Sequence, residues 1–237
     1  MTALFRSSAR EVAFRTLKKE FERFPNLELE EPAELGQVGF YDGRRCKFEW
    51  RTNLKALGIN PKVVKKTAIP PLVDKVYTTG ESTCCQFSLE GNGVGAANFS
   101  FPRSNKLATQ ALDMTSSGYD IYDLETKIKE AINSGLIWDK NWVVITQVYP
   151  AQAYSLLYAR SNRSEATVST AVPVTSAVFN IADPDLKVSA SYIYGEVMNT
   201  VAKQKVTPFF RIHKLKGWGP RSTSEVGAQS LTLEPYG

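Results

Sequence analysis

The side chains of this sequence best suited to redox or metal chemistry are three cysteines and a single histidine. Cys46, Cys84 and Cys85 show no metal-ligand spacing, and adjacent cysteines rarely bridge each other. At least one thiol is therefore left for an intermolecular disulfide, or all three stay reduced, as is usual in the cytosol. His213 lies among lysines of the last predicted strand, where we expect a solvated side chain. We predict no metal site and no cofactor.

Motifs that would place catalytic groups together are missing. The sequence lacks the metalloprotease, phosphate-loop, nucleophile-elbow and zinc-cluster patterns. The segment GNGVG at 91–95 lacks the spacing of a dinucleotide-binding loop, and no helix start follows it. We therefore expect no catalytic residues and a protein that is not an enzyme, with an enzyme of unfamiliar type as the least favoured alternative.

Binding chemistry is indicated by positive charge beside aromatic rings. The net charge is +5 and the pI is about 9.0, values that suit an acidic partner such as anionic lipid or nucleic acid. The segments QVGFYD and CKFEWRT flank a turn at 42–45 and predict a hairpin. Phe48 and Trp50 lie there with Arg44 and Arg45, a mixture that suits a membrane interface or single-stranded nucleic acid. An ordinary hairpin with packed aromatics is the third interpretation.

A first amphipathic helix is predicted over residues 3–24, ended by Pro25. Its apolar face comprises Phe5, Ala9, Val12, Ala13, Leu17, Phe21 and Phe24. Its basic residues are Arg6, Arg10, Arg15, Lys18 and Lys19. Two interpretations are open: a surface helix docked on the core, or a basic helix that lies against anionic lipid headgroups.

Two long stretches of alternating residues predict β-ribbons, one over about 76–112 and one over 142–198. In the first, alternation places Phe87 and Leu89, then Phe99 and Phe101, on one face. In the second, the apolar set is Val188, Ala190, Tyr192 and Tyr194, and the polar set is Lys187, Ser189 and Ser191. The polar tract around 160–164 is where we expect the second ribbon to reverse. Such ribbons suit either a half-buried antiparallel sheet or strands that cross a bilayer.

The remaining elements complete an α+β prediction. A second helix is predicted over 120–134, with Ile121, Leu124, Ile128 and Ile132 on one face and Gly135 at its C-terminal end. A strand over 205–216 follows, and we expect the tail at 217–237 to lie on the surface or to be loosely ordered. The predicted fold is a twisted antiparallel sheet with two long amphipathic β-ribbons and flanking helices. We expect one domain over 1–216 and a short tail, with no secretory signal or lipidation motif, hence a cytosolic chain.

Two short motifs and the order of these parts resemble the pore-forming domain of gasdermins. In NWVVITQVYPAQ, five residues match the segment Asn-x-x-Val-Val-Thr-Glu-Val-x-x-x-Gln of vertebrate members: Asn141, Val144, Thr146, Val148 and Gln152. Gln147 stands where those proteins have Glu. In VTPFFRIHKL, the residues Phe210, Arg211 and Leu215 match Ser-Thr-Leu-Ala-Phe-Arg-Val-x-x-Leu. The resemblance covers most of residues 3–216.

The resemblance implies a pore-forming protein that is cytoplasmic when inactive and lies in the membrane when activated. The basic residues of the first helix and the hairpin would bind anionic lipid, and the two ribbons would insert as hairpins of a ring oligomer. Vertebrate members also carry a large inhibitory domain, for which 217–237 is too short. Control would then come from the tail as a removable plug, or from a resting homodimer linked through Cys46, Cys84 or Cys85. Its partners would be anionic lipid and itself, without nucleic acid. The alternative is a soluble basic module that binds lipid or nucleic acid without forming pores.

Overall fold

This computed structural model describes residues 9–27, 31–66, 77–78, 84–89, 94–101, 107–112, 114–159, 164–173, 189–194, 197–202, 206–217 and 231–236. The helices among these residues are α1 (Ala9–Phe21) and α2 (Ile121–Asn133). The strands are β1 (Phe24–Pro25), β2 (Gln37–Asp42), β3 (Lys47–Asn53), β4 (Val63–Lys66), β5 (Tyr77–Thr78), β6 (Cys84–Leu89), β7 (Val94–Phe101), β8 (Leu107–Leu112), β9 (Ser116–Tyr119), β10 (Val143–Ala151), β11 (Ala153–Ala159), β12 (Ser164–Pro173), β13 (Ser189–Tyr194), β14 (Val197–Ala202), β15 (Val206–Lys216) and β16 (Thr232–Pro235).

The fold is α+β with antiparallel sheets, which confirms the class predicted from the sequence. The chain divides into two compact units, each assembled from three stretches of sequence. Unit 1 comprises Met1–Glu20, Ala68–Thr115 and Pro150–Val206. Unit 2 comprises Phe21–Thr67, Ser116–Tyr149 and Thr207–Gly237.

Unit 2 contains an eight-stranded sheet whose main path runs β1-β15-β10-β2-β3. β9 pairs with β10 and with β4, and β16 pairs with β15. Different stretches of β10 therefore pair with β2 and β9, at Val143–Val144 and at Gln147–Val148 respectively. The long strands β10 and β15 form the centre of this sheet, and short strands flank them.

Helix α2 packs its apolar face on this sheet. Asp120 caps the helix, because its Oδ1 accepts hydrogen bonds from the backbone N–H groups of Tyr122 (3.1 Å) and Asp123 (3.2 Å). Leu124 and Ile128 are fully buried in the core of unit 2. Gly135, just past the C-terminal end, has a φ of 98°, a left-handed value that favours glycine. The predicted second helix is confirmed.

The C-terminal segment supplies a strand and part of the core, which the sequence analysis did not predict. β16 pairs antiparallel with β15, with Leu233 opposite Leu215. Leu231 is 0% exposed and Leu233 is 6% exposed, and both belong to the core cluster that contains the α2 residues. The sequence pattern that could have predicted this strand is the alternation of apolar and polar residues at 231–233. Leu231 and Leu233 are buried, whereas Thr232 between them is exposed. The expectation of a surface or loosely ordered tail is wrong for 231–236.

Unit 1 contains two four-stranded sheets with matching strand orders, β14-β11-β8-β5 and β13-β12-β7-β6. Strands that are consecutive in the chain occupy equivalent places in the two sheets: β5 and β6, β8 and β7, β11 and β12, and β14 and β13. On the inner pair, Ala153 lies opposite Leu112 and Ser164 lies opposite Phe101. Ala153 and Ser164 are separated by the same number of residues as Phe101 and Leu112. The described parts of the two inner pairs therefore follow the same register in both sheets.

The predicted pairing of two strands across the tract at 160–164 is not seen in the described strands. β11 pairs with β8 and β14, and β12 pairs with β7 and β13, so β11 and β12 are not partners of each other. Residues 160–163 of the predicted reversal lie outside the described part of the chain. β12 and β13 are antiparallel partners, so the two strands of the hairpin that the structure shows are Ser164–Pro173 and Ser189–Tyr194.

Helix α1 is shorter than predicted, and its buried face differs. Among the described residues it begins at Ala9 and ends at Phe21, and Glu22 has a φ of 51°, a left-handed value that stops the helix. Phe24, predicted as helical, instead pairs with Phe210 in β1. The residues at 3–8 of the prediction lie outside the described part of the chain.

The buried face of α1 includes the predicted Ala13 and Leu17, which are 0% exposed. Phe14 is also buried, although the prediction left it out, and Val12 is only half-buried. The buried face of the helix is therefore one residue wider than the predicted apolar face, and Phe14 is the additional buried residue.

Replacing Leu231 with Ala should lower the free energy of unfolding by about 2–4 kcal/mol, because it leaves a cavity in the core of unit 2. Ile137→Ala is the matched control, since Ile137 is 88% exposed and its truncation should change stability by less than about 0.5 kcal/mol. Urea unfolding followed by tryptophan fluorescence measures both. Equal effects of the two variants would show that the tail does not share the core.

Candidate functional site

The tip of the β2–β3 hairpin presents two arginines on an ordered turn. Asp42 Oδ1 accepts hydrogen bonds from the backbone N–H groups of Arg44 (2.8 Å) and Arg45 (3.2 Å). The bond from Arg45 has the larger effect on the pKa of Asp42, and the bond from Arg44 the next largest. Both hold this pKa below its usual value. Arg44 and Arg45 are both exposed, so the turn directs positive charge to solvent.

The two aromatic residues predicted to bind lipid occupy different environments. Trp50 is 58% exposed, whereas Phe48 is half-buried with its ring 6.2 Å from that of Phe210. Arg51, next to Trp50, lies 5.4 Å from the centre of the Phe40 ring. The exposed surface of the hairpin is therefore formed by arginines and one indole, while Phe48 anchors the hairpin to β15.

A β-bulge between Val38 and Gly39 helps to place Trp50. Gly39 lies opposite Trp50 in the hairpin register. A Cβ atom at Gly39 would overlap the backbone carbonyl oxygen of Glu49, so only glycine fits this close approach.

An aromatic cluster supports the hairpin and includes a residue of the tail. The ring of Phe24 is 4.9 Å from that of Tyr41 and 5.9 Å from that of Phe210. Tyr236 extends the cluster, with its ring 5.6 Å from that of Tyr41. Burial raises the pKa of the Tyr41 hydroxyl far above its usual value. The last residues of the chain are thus packed against the strand that carries the hairpin.

The basic residues of α1 are divided between exposed and half-buried positions. Arg15 and Lys19 are one helical turn apart and both are exposed, whereas Lys18 is half-buried. Arg10 lies in the helix without a described side chain, and Arg6 lies outside the described residues. Arg15 and Lys19 are therefore the described residues of this helix that are available to an anionic surface.

The pairing register of the sheet β6, β7, β12 and β13 shows which of the ribbon residues predicted to insert into a membrane share a face of the sheet. Directly opposite residues of antiparallel strands lie on the same face. One row across the sheet is Cys85, Phe99, Ala166 and Tyr192, and the next is Phe87, Ala97, Val168 and Ala190. The intervening row on the opposite face is Gln86, Asn98, Thr167 and Ser191. One face of this sheet is thus apolar and the other polar.

Other predicted ribbon residues fit these rows less regularly. Leu89 pairs with Gly95, and Phe101 pairs with Ser164 at the end of β7. A bulge between Glu165 and Ala166 places Tyr194 opposite Glu165, so the apolar row does not extend to Tyr194. Val188 lies outside the described residues.

The structure gives the side-chain environment of Cys46 and the strand positions of Cys84 and Cys85. Cys46 is 8% exposed in the hairpin turn, and its thiol donates to the carbonyl oxygen of Gly43 at 3.7 Å. Cys84 lies opposite Ser100 and Cys85 opposite Phe99, on opposite faces of β6, which is an outer strand of its sheet. Cys46 must therefore be uncovered before it can form an intersubunit disulfide.

His213 is not solvated as the sequence analysis expected. It is half-buried, and its Nδ1 lies 2.7 Å from the Oγ1 atom of the buried Thr146. Burial lowers the pKa of His213 to about 4, and the positive charge of Arg211 acts in the same direction. The lysines around it misled the prediction, because β15 is a central strand and its neighbours on the chain do not decide its exposure.

The described helices are too short and too polar to cross a bilayer. Among the described residues, no group of three or more His, Cys, Asp or Glu side chains is arranged to hold a metal ion.

The stability of the protein should fall as the pH drops from about 6.5 towards 4. The folded state keeps His213 neutral in this range while the unfolded chain binds a proton, so acid favours unfolding. We expect this residue to contribute about 1–3 kcal/mol, with allowance for its partial exposure. The difference in unfolding free energy between wild type and His213→Gln at pH 7 and pH 4.5 measures it. Because His213 is the sole histidine, an NMR titration of its imidazole checks the pKa directly, and a value near 6.5 would contradict the buried environment.

Comparison with known proteins gives one solved structure of interest. No protein-family model matches this chain, and no curated protein matches it. A bacterial gasdermin from Bradyrhizobium tropiciagri aligns with 78% of this chain and 89% of its own, at 11% sequence identity and a TM-score of 0.29.

Proposed function

We propose that this protein is a gasdermin-like pore former that binds anionic lipid, oligomerises and inserts its two ribbons to permeabilise membranes in lytic cell death. The observation that carries the proposal is the four-stranded register of the ribbons. Adjacent rows across β6, β7, β12 and β13 alternate between apolar and polar residues, as transmembrane β-strands require. The two motifs that resemble gasdermins lie along β10 with its flanking residues Asn141 and Gln152, and in β15.

The ribbons are long enough for this task. β11 and β12 run from Ala153 to Pro173 and β7 and β8 from Val94 to Leu112, each pair about 65 Å when extended. A strand needs only about 9–11 residues to cross the hydrocarbon core of a bilayer. The register that these inner strands share, from Leu112 opposite Ala153 to Ala96 opposite Ser169, would let both hairpins extend together as one four-stranded sheet.

Oligomerisation follows from the outer strands of that sheet. β6 and β13 each have a partner on one side only within it. In hydrocarbon, each unsatisfied backbone group on such an edge costs several kcal/mol. Many copies must therefore pair edge to edge and close a ring before insertion is favourable.

Docking on the membrane precedes insertion in this mechanism. Arg15 and Lys19 on α1, and Arg44 and Arg45 on the hairpin, are exposed cations that attract anionic headgroups. Trp50 is the exposed aromatic residue suited to the interfacial region.

Control of pore formation is proposed to come from the tail. Removing 217–237 would uncover Leu124 and Ile128 and take Tyr236 out of the aromatic cluster behind the hairpin. The tail can therefore hold unit 2 in its resting form. A resting dimer linked through Cys84 or Cys85, on an outer strand, is the second mode of control, and non-reducing gels of Cys→Ser variants distinguish it from the first.

Dye release from liposomes tests the function. Vesicles with and without cardiolipin or a phosphoinositide are compared, each with and without a thiol reductant, before and after removal of residues 218–237. Release that depends on anionic lipid supports the pore former, and the reductant and truncation arms identify the control. No release in any arm would favour a soluble binding module.

Reversing the charges at the exposed face of α1, as in Arg15→Glu/Lys19→Glu, should weaken binding to anionic vesicles by roughly 30-fold or more, since each cation near such a surface contributes about 1 kcal/mol. Dye release should fall in parallel. Vesicle co-sedimentation measures the binding, and the double reversal Lys55→Glu/Lys140→Glu at other exposed lysines is the control. Equal loss in both variants would mean that net charge, rather than this helix, determines binding.

A lysine on the apolar face of the ribbon should abolish dye release. Val168 and Thr167 are neighbours on β12 that lie in an apolar and a polar row respectively. Val168→Lys places a charge towards lipid at a cost of about 2–4 kcal/mol per subunit near the midplane, whereas Thr167→Lys places it towards water. Release is measured for variants whose circular dichroism matches wild type. Release by Val168→Lys as strong as that by Thr167→Lys would contradict the proposed insertion.

A further inference from the structure

A cavity of about 280 Å³ lies on the eight-stranded sheet of unit 2, beside the first residue of α2. It spans four neighbouring strands, β4, β9, β10 and β15. The lining residues that matter here are Gly118, Ile121, Thr146, Gln147, Arg211 and His213. No residue of the lining is acidic.

Gly118 helps to keep this space open. Its backbone does not have the positive φ found at Gly36 or Gly135, so conformation does not demand glycine here. A Cβ atom at this position would lie 3.1 Å from the Thr146 carbonyl oxygen and 3.2 Å from Gln147 Cγ. A larger residue would therefore crowd the cavity wall.

Arg211 supplies positive charge to the lining of the cavity. Burial lowers the pKa of Arg23, which is held over the Tyr149 ring at 4.1 Å, and the charge of Arg211 acts in the same direction. Among the residues that the structure describes, Arg211 forms no ion pair with a carboxylate. Its charge is therefore available to an anion in the cavity.

The other polar groups of the lining include a threonine, a histidine and a glutamine. Thr146 Oγ1 lies 2.7 Å from His213 Nδ1 and 3.4 Å from the Arg211 carbonyl oxygen, so Nε2 is the ring nitrogen left for a ligand, and it donates in the tautomer in which Nδ1 accepts from Thr146 and in the imidazolium. Gln147 adds a side-chain amide. A guanidinium with neutral donors around it is the arrangement that suits a carboxylate or phosphate group.

The acidic residues nearest the cavity are engaged elsewhere. Asp120 caps α2, and Asp123 Oδ2 accepts a hydrogen bond from the backbone N–H of Lys62 at 2.6 Å. The titratable groups that face His213 are thus Arg211 on its own strand and the half-buried Tyr119 of β9. An anion would meet positive charge and hydrogen-bond donors in this cavity, without a competing carboxylate.

We propose that this cavity binds a small molecule bearing a phosphate or carboxylate group, which pairs with the guanidinium of Arg211. The volume lies at the lower end of the range for small-molecule sites, so the ligand is smaller than a typical drug or dinucleotide. Binding would join β10 and β15 through one ligand and stabilise the sheet of unit 2. The proposal is independent of pore formation, because it concerns a site in unit 2 and is tested without membranes.

The sole histidine makes the test direct. Inorganic phosphate and citrate are titrated separately into the full chain while the His213 imidazole signals are followed by NMR. We expect a saturable shift and an increase in the pKa of His213, because a bound anion favours the imidazolium. Phosphatidylserine and phosphatidylcholine vesicles form a second arm. A response to the free anions identifies a soluble ligand, and a response to phosphatidylserine vesicles alone identifies a lipid headgroup as the source of the anion.

Variants establish whether Arg211 forms the site. Arg211→Gln should weaken anion binding at least about tenfold, since hydrogen bonds to charged groups are the strong ones. Lys140→Gln removes the same charge at an exposed position outside the cavity and should bind as wild type does. The Arg211 side chain is exposed, so folding is expected to survive, and circular dichroism verifies it. The absence of a saturable response in wild type, or equal binding by both variants, would overturn the proposal.

Discussion

The backbone ladder between the two inner ribbon strands is the constraint on which the rest of unit 1 depends. Because the pairing of β8 with β11 and of β7 with β12 follows one register from Leu112 opposite Ala153 to Ala96 opposite Ser169, the paired residues of the two inner strands have defined positions across from each other. Alternation then sorts the residues into an apolar and a polar face without further contacts. The register of the inner pair shifts between Ser169 and Pro173, and the outer strands shift register between the two sheets.

Unit 2 depends on β15, which connects features that are far apart in the sequence. On one edge it pairs with β1 and with the C-terminal strand β16, and on the other with β10. Its side chains contribute to three environments: Leu215 to the core under α2, Phe210 to the aromatic cluster, and His213 to the cavity. A strand with two paired edges and two packed faces is rigid, and this rigidity suits a scaffold that carries the exposed hairpin and the cavity.

The distribution of charge separates two kinds of surface. Arg44 and Arg45 project from a turn and Arg15 from a helix, where water screens them and a broad anionic surface can reach them. Arg211 instead lines a cavity beside the half-buried His213, where part of the surroundings of a bound ligand is protein and not water. The projecting cations suit a membrane, and the arginine of the cavity suits one small anion.

Periodicity by itself determined the elements whose stabilising contacts are local. The apolar spacing and caps of α2, the turn chemistry at Asp42 and the alternation of the ribbons were all readable, because helices, turns and strand faces are set by residues a few positions apart. Tertiary structure alone decided that the tail enters the core through Leu231, that β11 and β12 pair with β8 and β7 and not with each other, and that His213 is half-buried. Each of these depends on which distant strand lies alongside, and pairing between strands is fixed by long-range contacts that one segment's pattern does not encode.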